Sequence, residues 1–200
     1  MNKQQGFSLI ELVIVIIVVG ILAATAMPRF LNITEQAKKA AVEGMAGGYA
    51  TAVISARAQW EAYGRPTMQG VSGAVNSVDY DGSEFLLTKE SNQDGIRMGY
   101  PYALSIDGSS KPFSAMAPQD CVDLLENLLQ NPPRASLDQQ SIPSGNNVFF
   151  VSMLGSGSEK ACRYYQTTSV KNSSGIADIT TGHYFTYTPA TGRVEVNINN

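Results

Sequence analysis

At 200 residues and 44% hydrophobic, the chain is long enough for one domain with a core of its own and some extra length. A formal net charge of -3 and the lack of any basic run argue against nucleic acid as the main partner, and ordinary Gly and aromatic content argues against a disordered or fibrous chain. Cys121 and Cys162 stand too far apart for a zinc knuckle or a C-x-x-C redox motif.

The opening, Met1 to Gly6, is short and polar, with Lys3 its one charged side chain. An apolar stretch follows from Phe7 to Met27, broken by Ser8, Glu11 and Thr25. About 20 apolar residues suffice to cross a bilayer as a helix, and Lys3 would hold the N-terminus on the cytoplasmic side. Three readings compete. In the first, this is a secretory signal peptide cut after the apolar run, near Ala23-Ala24-Thr25-Ala26. In the second it is a plain anchor, which has no need of Glu11, since a carboxylate within the span costs on the order of 2–3 kcal/mol at the helix centre. In the third, a cut after Gly6 removes Lys3 and frees the amine of Phe7. Phe7 and Glu11 then pair at i, i+4 or between neighbouring chains. Such a pair about 4 Å apart gains ~4 kcal/mol at an effective dielectric near 20, and leaving either charge alone in an apolar bundle is expensive. The third reading accounts for every unusual residue.

Gly6-Phe7-Ser8-Leu9-Ile10-Glu11 resembles the processing signal of type IV pilins and type II secretion pseudopilins. The resemblance implies that a prepilin peptidase cuts after Gly6 and methylates the new N-terminal Phe7, and that Glu11 guides assembly. Pro28 matches the proline that bends the pilin stalk, and Gly20 lies where the helix tends to unwind in assembled filaments.

Past Pro28 an apolar stripe continues through Phe30, Ile33, Ala37, Ala41, Met45, Tyr49, Val53, Ala56, Trp60 and Tyr63, in steps of three and four. Glu35, Lys38, Lys39, Glu43, Arg57 and Glu61 fall off it, so this is an amphipathic helix lying on a globular head. Asn32 with Glu35 suggests a capping arrangement and a restart after a kink at Pro28. A helix from Phe7 to Ala62 would span roughly 84 Å at 1.5 Å per residue, too long for one small domain, so its N-terminal half is expected to project. Gly44, Gly47 and Gly48 each cost about 1 kcal/mol relative to Ala, and close packing against the head is favoured over a local bend. Gly64-Arg65-Pro66 ends the helix.

The rest alternates short apolar runs with turn residues. Strands are expected at 84–88, 97–105, 148–154, 162–168, 184–188 and 193–198. Pro101 makes the second an edge strand or none, and Pro189-Ala190-Thr191-Gly192 joins the last two as a hairpin. One short helix begins at Pro118, buries Val122, Leu124, Leu125, Leu128 and Leu129, and stops at Pro132-Pro133. The layout is α+β: leader 1–6, apolar helix 7–27, amphipathic helix 28–66 and a β-rich head 67–200. It matches the pilin fold, a long helix packed on an antiparallel sheet. With the head outside the inner membrane, a Cys121–Cys162 disulfide is permitted, against the alternative of two separate buried thiols.

The remaining signals are weak. Asp79-Tyr80-Asp81-Gly82-Ser83-Glu84 faintly suggests a calcium loop, against an Asp-Gly turn before a strand. His183 is the only histidine, which leaves no His-based metal cluster and no convincing catalytic triad. No phosphate-binding glycine loop is present. The reading is a non-enzymatic subunit with no cofactor. The resemblance implies a helical homo-oligomer, an inner-membrane precursor in a Gram-negative cell, a prepilin peptidase and a separate assembly ATPase. The run MPRFLNITEQAKKAAVEGMAGGYATAVISARAQWEAYGRP, Met27 to Pro66, is most similar to mannose-sensitive haemagglutinin (MSHA) pilins, major subunits that serve surface attachment and biofilm initiation. A secretion pseudopilin or minor pilin is the alternative, and an anchored periplasmic binding protein or enzyme is the rival from a different class.

Overall fold

The computed structural model describes residues 7–70, 73–144, 146–173 and 176–199. By its internal contacts the chain divides into two units at Lys38–Lys39. Helix α1 is a single 54-residue helix, Leu9–Ala62. Its end follows from Gly64, whose φ of 77° suits a residue without Cβ. Arg65 N–H donates to Trp60 O at 2.9 Å and Gly64 N–H to Glu61 O at 3.1 Å, the paired bonds of a Schellman cap.

The second unit holds the β-rich head. Its first sheet is an antiparallel meander of β1 (Thr67–Gly70), β2 (Gly73–Tyr80), β3 (Ser83–Leu87) and β4 (Pro101–Leu104), in that order. Helix α2 (Pro118–Leu128) follows, then β5 (Ala135–Ser136), β6 (Phe149–Leu154), β7 (Ala161–Gln166), β8 (Lys171–Ser173), β9 (Ile176–Asp178), β10 (Tyr184–Thr188) and β11 (Arg193–Asn197). The second sheet has the order β11-β10-β7-β6-β5, antiparallel except for the β5–β6 pair, and β8–β9 form a separate two-stranded ribbon. The α+β architecture of long helix and antiparallel head is therefore as expected, but with two larger sheets. Pro101 opens the edge strand β4 where the ladder register shifts between Leu86 and Leu87, a strand start and irregularity that tolerate proline.

The core is built on the C-terminal part of α1. Val42, Ala46, Tyr49, Val53, Ala56 and Trp60 are buried, in alternating steps of four and three. That alternation keeps them on one side of the helix. The stripe expected from sequence departs from it: Ala41 and Tyr63 are exposed and Met45 is half-buried. Its run of four-residue steps from Ile33 to Val53 turns about 40° further per step, so it winds around the helix. The expected restart at Asn32 is also corrected, since the helix continues unbroken through Gly20, Pro28 and Asn32. Gly44, Gly47 and Gly48 are exposed, with nothing within 4 Å of an added Cβ, which overturns close packing against the head.

Three buried phenols tie the head together. Tyr164 Oη donates to Cys121 O at 2.8 Å, so Tyr49 Oη must be the donor in its 3.2 Å bond to Tyr164 Oη. Tyr187 Oη donates to Pro101 O at 2.7 Å. The Tyr164 ring stacks on Phe185 at 4.6 Å, and the Tyr49 ring meets Tyr187 edge-on at 5.3 Å. Beside them the Cys121–Cys162 disulfide joins α2 to β7. It closes 41 residues of sequence, worth ~4 kcal/mol in the chain-entropy account. At the other end of the core, Trp60 Nε1 donates to Pro66 O at 3.0 Å. A Cβ on Gly99 would come 2.7 Å from the Trp60 ring, and the φ of 88° there also demands glycine.

Burial pushes the hydroxyls of Tyr49, Tyr164 and Tyr187 well above the ordinary tyrosine value. The unfolded chain loses these protons near pH ~10, while the native head keeps them to higher pH. Their contribution to stability is therefore complete below about pH 10 and is lost as pH rises from there through the native values. Urea unfolding of the full chain should show a flat midpoint from pH 8 to 9.5 and a steep fall above it. Tyr49→Phe should flatten that fall, and an unchanged slope would remove Tyr49 from the account.

Candidate assembly and processing site

Residues 7–33 of the first unit are all exposed, and they include 17 large apolar side chains such as Phe7 (89%), Leu9 (81%) and Leu22 (62%). Helix α1 is long and apolar enough here to cross a membrane. A single chain has no partner for such a surface in water. Such a surface calls for an apolar surrounding beyond the single chain.

The polar groups sit at the head of this run. Ser8 is non-helical and Leu9 begins α1. Ser8 O accepts an early helical bond from Leu12 N at 3.3 Å. Glu11 Oε2 accepts from Ser8 N–H at 2.9 Å. Glu11 is thus the third helical residue reaching back to its N-cap, one half of a capping box. The positive end of the helix dipole favours a carboxylate at this position. Ser8 did not figure among the expected site residues, although the spacing Ser8-Leu9-Ile10-Glu11 is itself the S-x-x-E capping signature. In the uncut chain the Phe7 nitrogen is a peptide nitrogen without charge, so Glu11 turns to Ser8.

Gly6 lies outside the described residues. Gly20 is helical, with open space where a Cβ would be. Pro28 sits inside α1 and supplies no N–H to the turn before it. Just upstream, Thr25 Oγ1 donates to Leu22 O at 3.0 Å, so a side chain adds a bond to a stretch of helix that Pro28 deprives of one. Asp79, Asp81 and Glu84 lie on the β2–β3 hairpin. Asp81 (φ 53°) and Gly82 (φ 81°) form its turn, and Asp79 Oδ1 accepts from Gly82 N at 3.2 Å. This is the Asp-Gly turn reading. No group of three His, Cys, Asp or Glu placed to hold a metal occurs among the described residues.

Residues 1–27 match the family described as the prokaryotic N-terminal methylation motif. The chain is 45% identical over 89 residues to the major component of the narrow type IV pilus of Thermus thermophilus, covering 44% of this chain and 75% of the relative. The chain belongs to the type IV pilin family. A fimbrial protein of Moraxella nonliquefaciens is 33% identical over 115 residues, or 55% of this chain and 72% of the relative. The type II secretion system core protein G of Pseudomonas aeruginosa is 30% identical over 117 residues, or 58% and 76%. No solved structure gives a significant match. The relatives named for pili are structural subunits, which points to a non-enzymatic pilin here too.

The Glu11 cap predicts a local effect. In detergent micelles, Glu11→Ala should speed hydrogen exchange of the Ser8 amide about fivefold, the equivalent of a ~1 kcal/mol cap. Glu11→Gln, which can still accept, should keep most of the protection. Equal exchange in all three proteins would rule the cap out.

Proposed function

We propose that this chain is the structural subunit of a type IV pilus. The observation that carries the reading is an apolar surface running from Phe7 to Ile33 with one carboxylate, Glu11, at its head. The precursor waits in the inner membrane of a Gram-negative cell, anchored by residues 7–27, with the head in the periplasm. A prepilin peptidase cuts after Gly6 and methylates Phe7. The freed ammonium is a stronger partner for Glu11 than an amide N–H, because a charge-assisted bond is roughly twice as strong as a neutral one. Between neighbouring subunits that attraction fixes how far one helix slides past the next. Apolar helices move from lipid into an equally dry filament core, so extraction needs external work, supplied by a separate cytoplasmic ATPase. Gly20 and Pro28 are the positions where the helix bends or loosens in the filament.

Filaments sheared from cells test this directly. Intact-mass and N-terminal analysis should give a dominant species beginning at methylated Phe7. Glu11→Ala should abolish filaments while the chain is still made and folded, and wild-type filament yield from that variant would sink the assembly role. A match to a secretion core protein supports one second reading, a pseudopilin. Processed chain found only in the membrane fraction would favour it.

The finer assignment is to the MSHA type, which the run Met27 to Pro66 supports by resemblance. On this reading the filament serves attachment and biofilm initiation. A deletion strain should attach to surfaces at a small fraction of the parental level and recover on complementation. Parental attachment by the deletion strain would remove the adhesive role and leave the filament.

A further inference from the structure

Strand β3 has charge of opposite sign at its two ends. At the N-terminal end lies the β2–β3 hairpin tip. Asp79 and Glu84 are exposed and directly opposed across the strands, and Asp81 is exposed in the turn. Like charges directly opposite each other destabilise a ladder. None of the three carboxylates takes part in an ion pair among the described residues.

At the other end β3 runs into Thr88, whose hydroxyl donates to Arg97 O at 2.6 Å. Arg97 N–H donates to Ala190 O at 2.7 Å. These bonds clamp the Arg97 backbone between the end of β3 and the β10–β11 turn. Its guanidinium makes no hydrogen bond or ion pair among the described residues. With Thr191 and Arg193 it lines a cleft of about 320 Å³. Arg193 is paired at 2.9 Å with Glu195, but both are exposed (72% and 58%) and such a pair is weak. Glu90 and Asp94 lie in the loop leading to Arg97, and neither pairs with it. Asp94 instead accepts from Ser91 Oγ at 2.7 Å.

From Gly82 to Thr88 is six residue steps, roughly 20 Å of strand. The head thus has a carboxylate-bearing tip and a guanidinium cleft at the two ends of one strand, each short of countercharge. That separation keeps the two from pairing with each other within one chain, and tip against tip or cleft against cleft would set like charges together. A head-to-tail contact satisfies both, and such heterologous contacts build open helical assemblies. We propose that the acidic β2–β3 hairpin tip of one subunit docks in the Arg97–Thr191–Arg193 cleft of a second copy. The inference rests on the filament reading and names the head contact within it.

The test is a charge swap in cells. Glu84→Arg and Arg97→Glu, each alone, should lower the yield of sheared filaments about tenfold, because each sets like charges against each other. Together they should restore it. Filaments carrying Glu84→Cys with Arg97→Cys should run as disulfide-linked multimers on non-reducing gels. Wild-type yield from both single variants, no recovery in the double variant, or monomers only from the cysteine pair would each overturn the contact. In the first and third of these outcomes filaments still form and the pilin reading stands. That reading fails separately if the unaltered chain yields no filaments.

Discussion

Much of the head hangs on the hydroxyl of Tyr164. Its one proton goes to Cys121 O, which leaves its lone pairs to Tyr49. Helix α1, strand β7 and the disulfide end of α2 therefore meet at a single buried atom. A polar group this deep is tolerable because its bonds are made, and removing one partner would leave the others without theirs. The aromatic rings around it supply the apolar body. Tyr49 reaches Tyr164, Phe185 and Tyr187, and Phe185 reaches Phe149. The C-terminal part of α1 is thus a core element of the head.

The same helix meets a different requirement in the first unit, where its apolar side chains are exposed among the described residues. A soluble domain would not keep 17 large exposed apolar residues in one run. On the proposed route a filament subunit keeps them, because it passes from a bilayer to a bundle of its own copies. The sequence reflects the two duties. Nearly unbroken apolar residues suit a helix surrounded on all sides by lipid or other helices, whereas one-sided burial needs only a stripe.

That difference sets what was legible. The apolar run and Glu11 are local features and were readable, whereas the equally local S-x-x-E spacing was not among the expected signals. The hairpin β10–β11 and edge strand β4 were marked by turn residues and by Pro101. β1 and β2 were not: in Thr67–Gly70 and Gly73–Tyr80 Gly, Gln, Asn and Ser interrupt the apolar residues, and only Ser77 and Val78 of β2 are buried. With so little apolar alternation, their pairing is held by neighbours distant in sequence. β5 has two residues in a parallel pair with β6, and no sequence period can show that. The helix stripe failed for a different reason. Steps of three and four are both helical, but their order decides whether a stripe stays on one face, and Ala41 and Val42 exchange places as a result.

Glu11 shows how one residue can serve before and after processing. A carboxylate deep in a bilayer is costly, yet this one lies in the first turn of α1, beside the helix dipole's positive end. There it accepts from Ser8 N–H, so the carboxylate has a partner in the uncut chain. The cap occupies one carboxylate oxygen and leaves the other available. On the proposed route, cleavage after Gly6 places a charged amine one residue before that cap, and the free oxygen can accept it without Ser8 letting go. On that route cleavage adds an attraction that was absent before, which would make assembly conditional on processing.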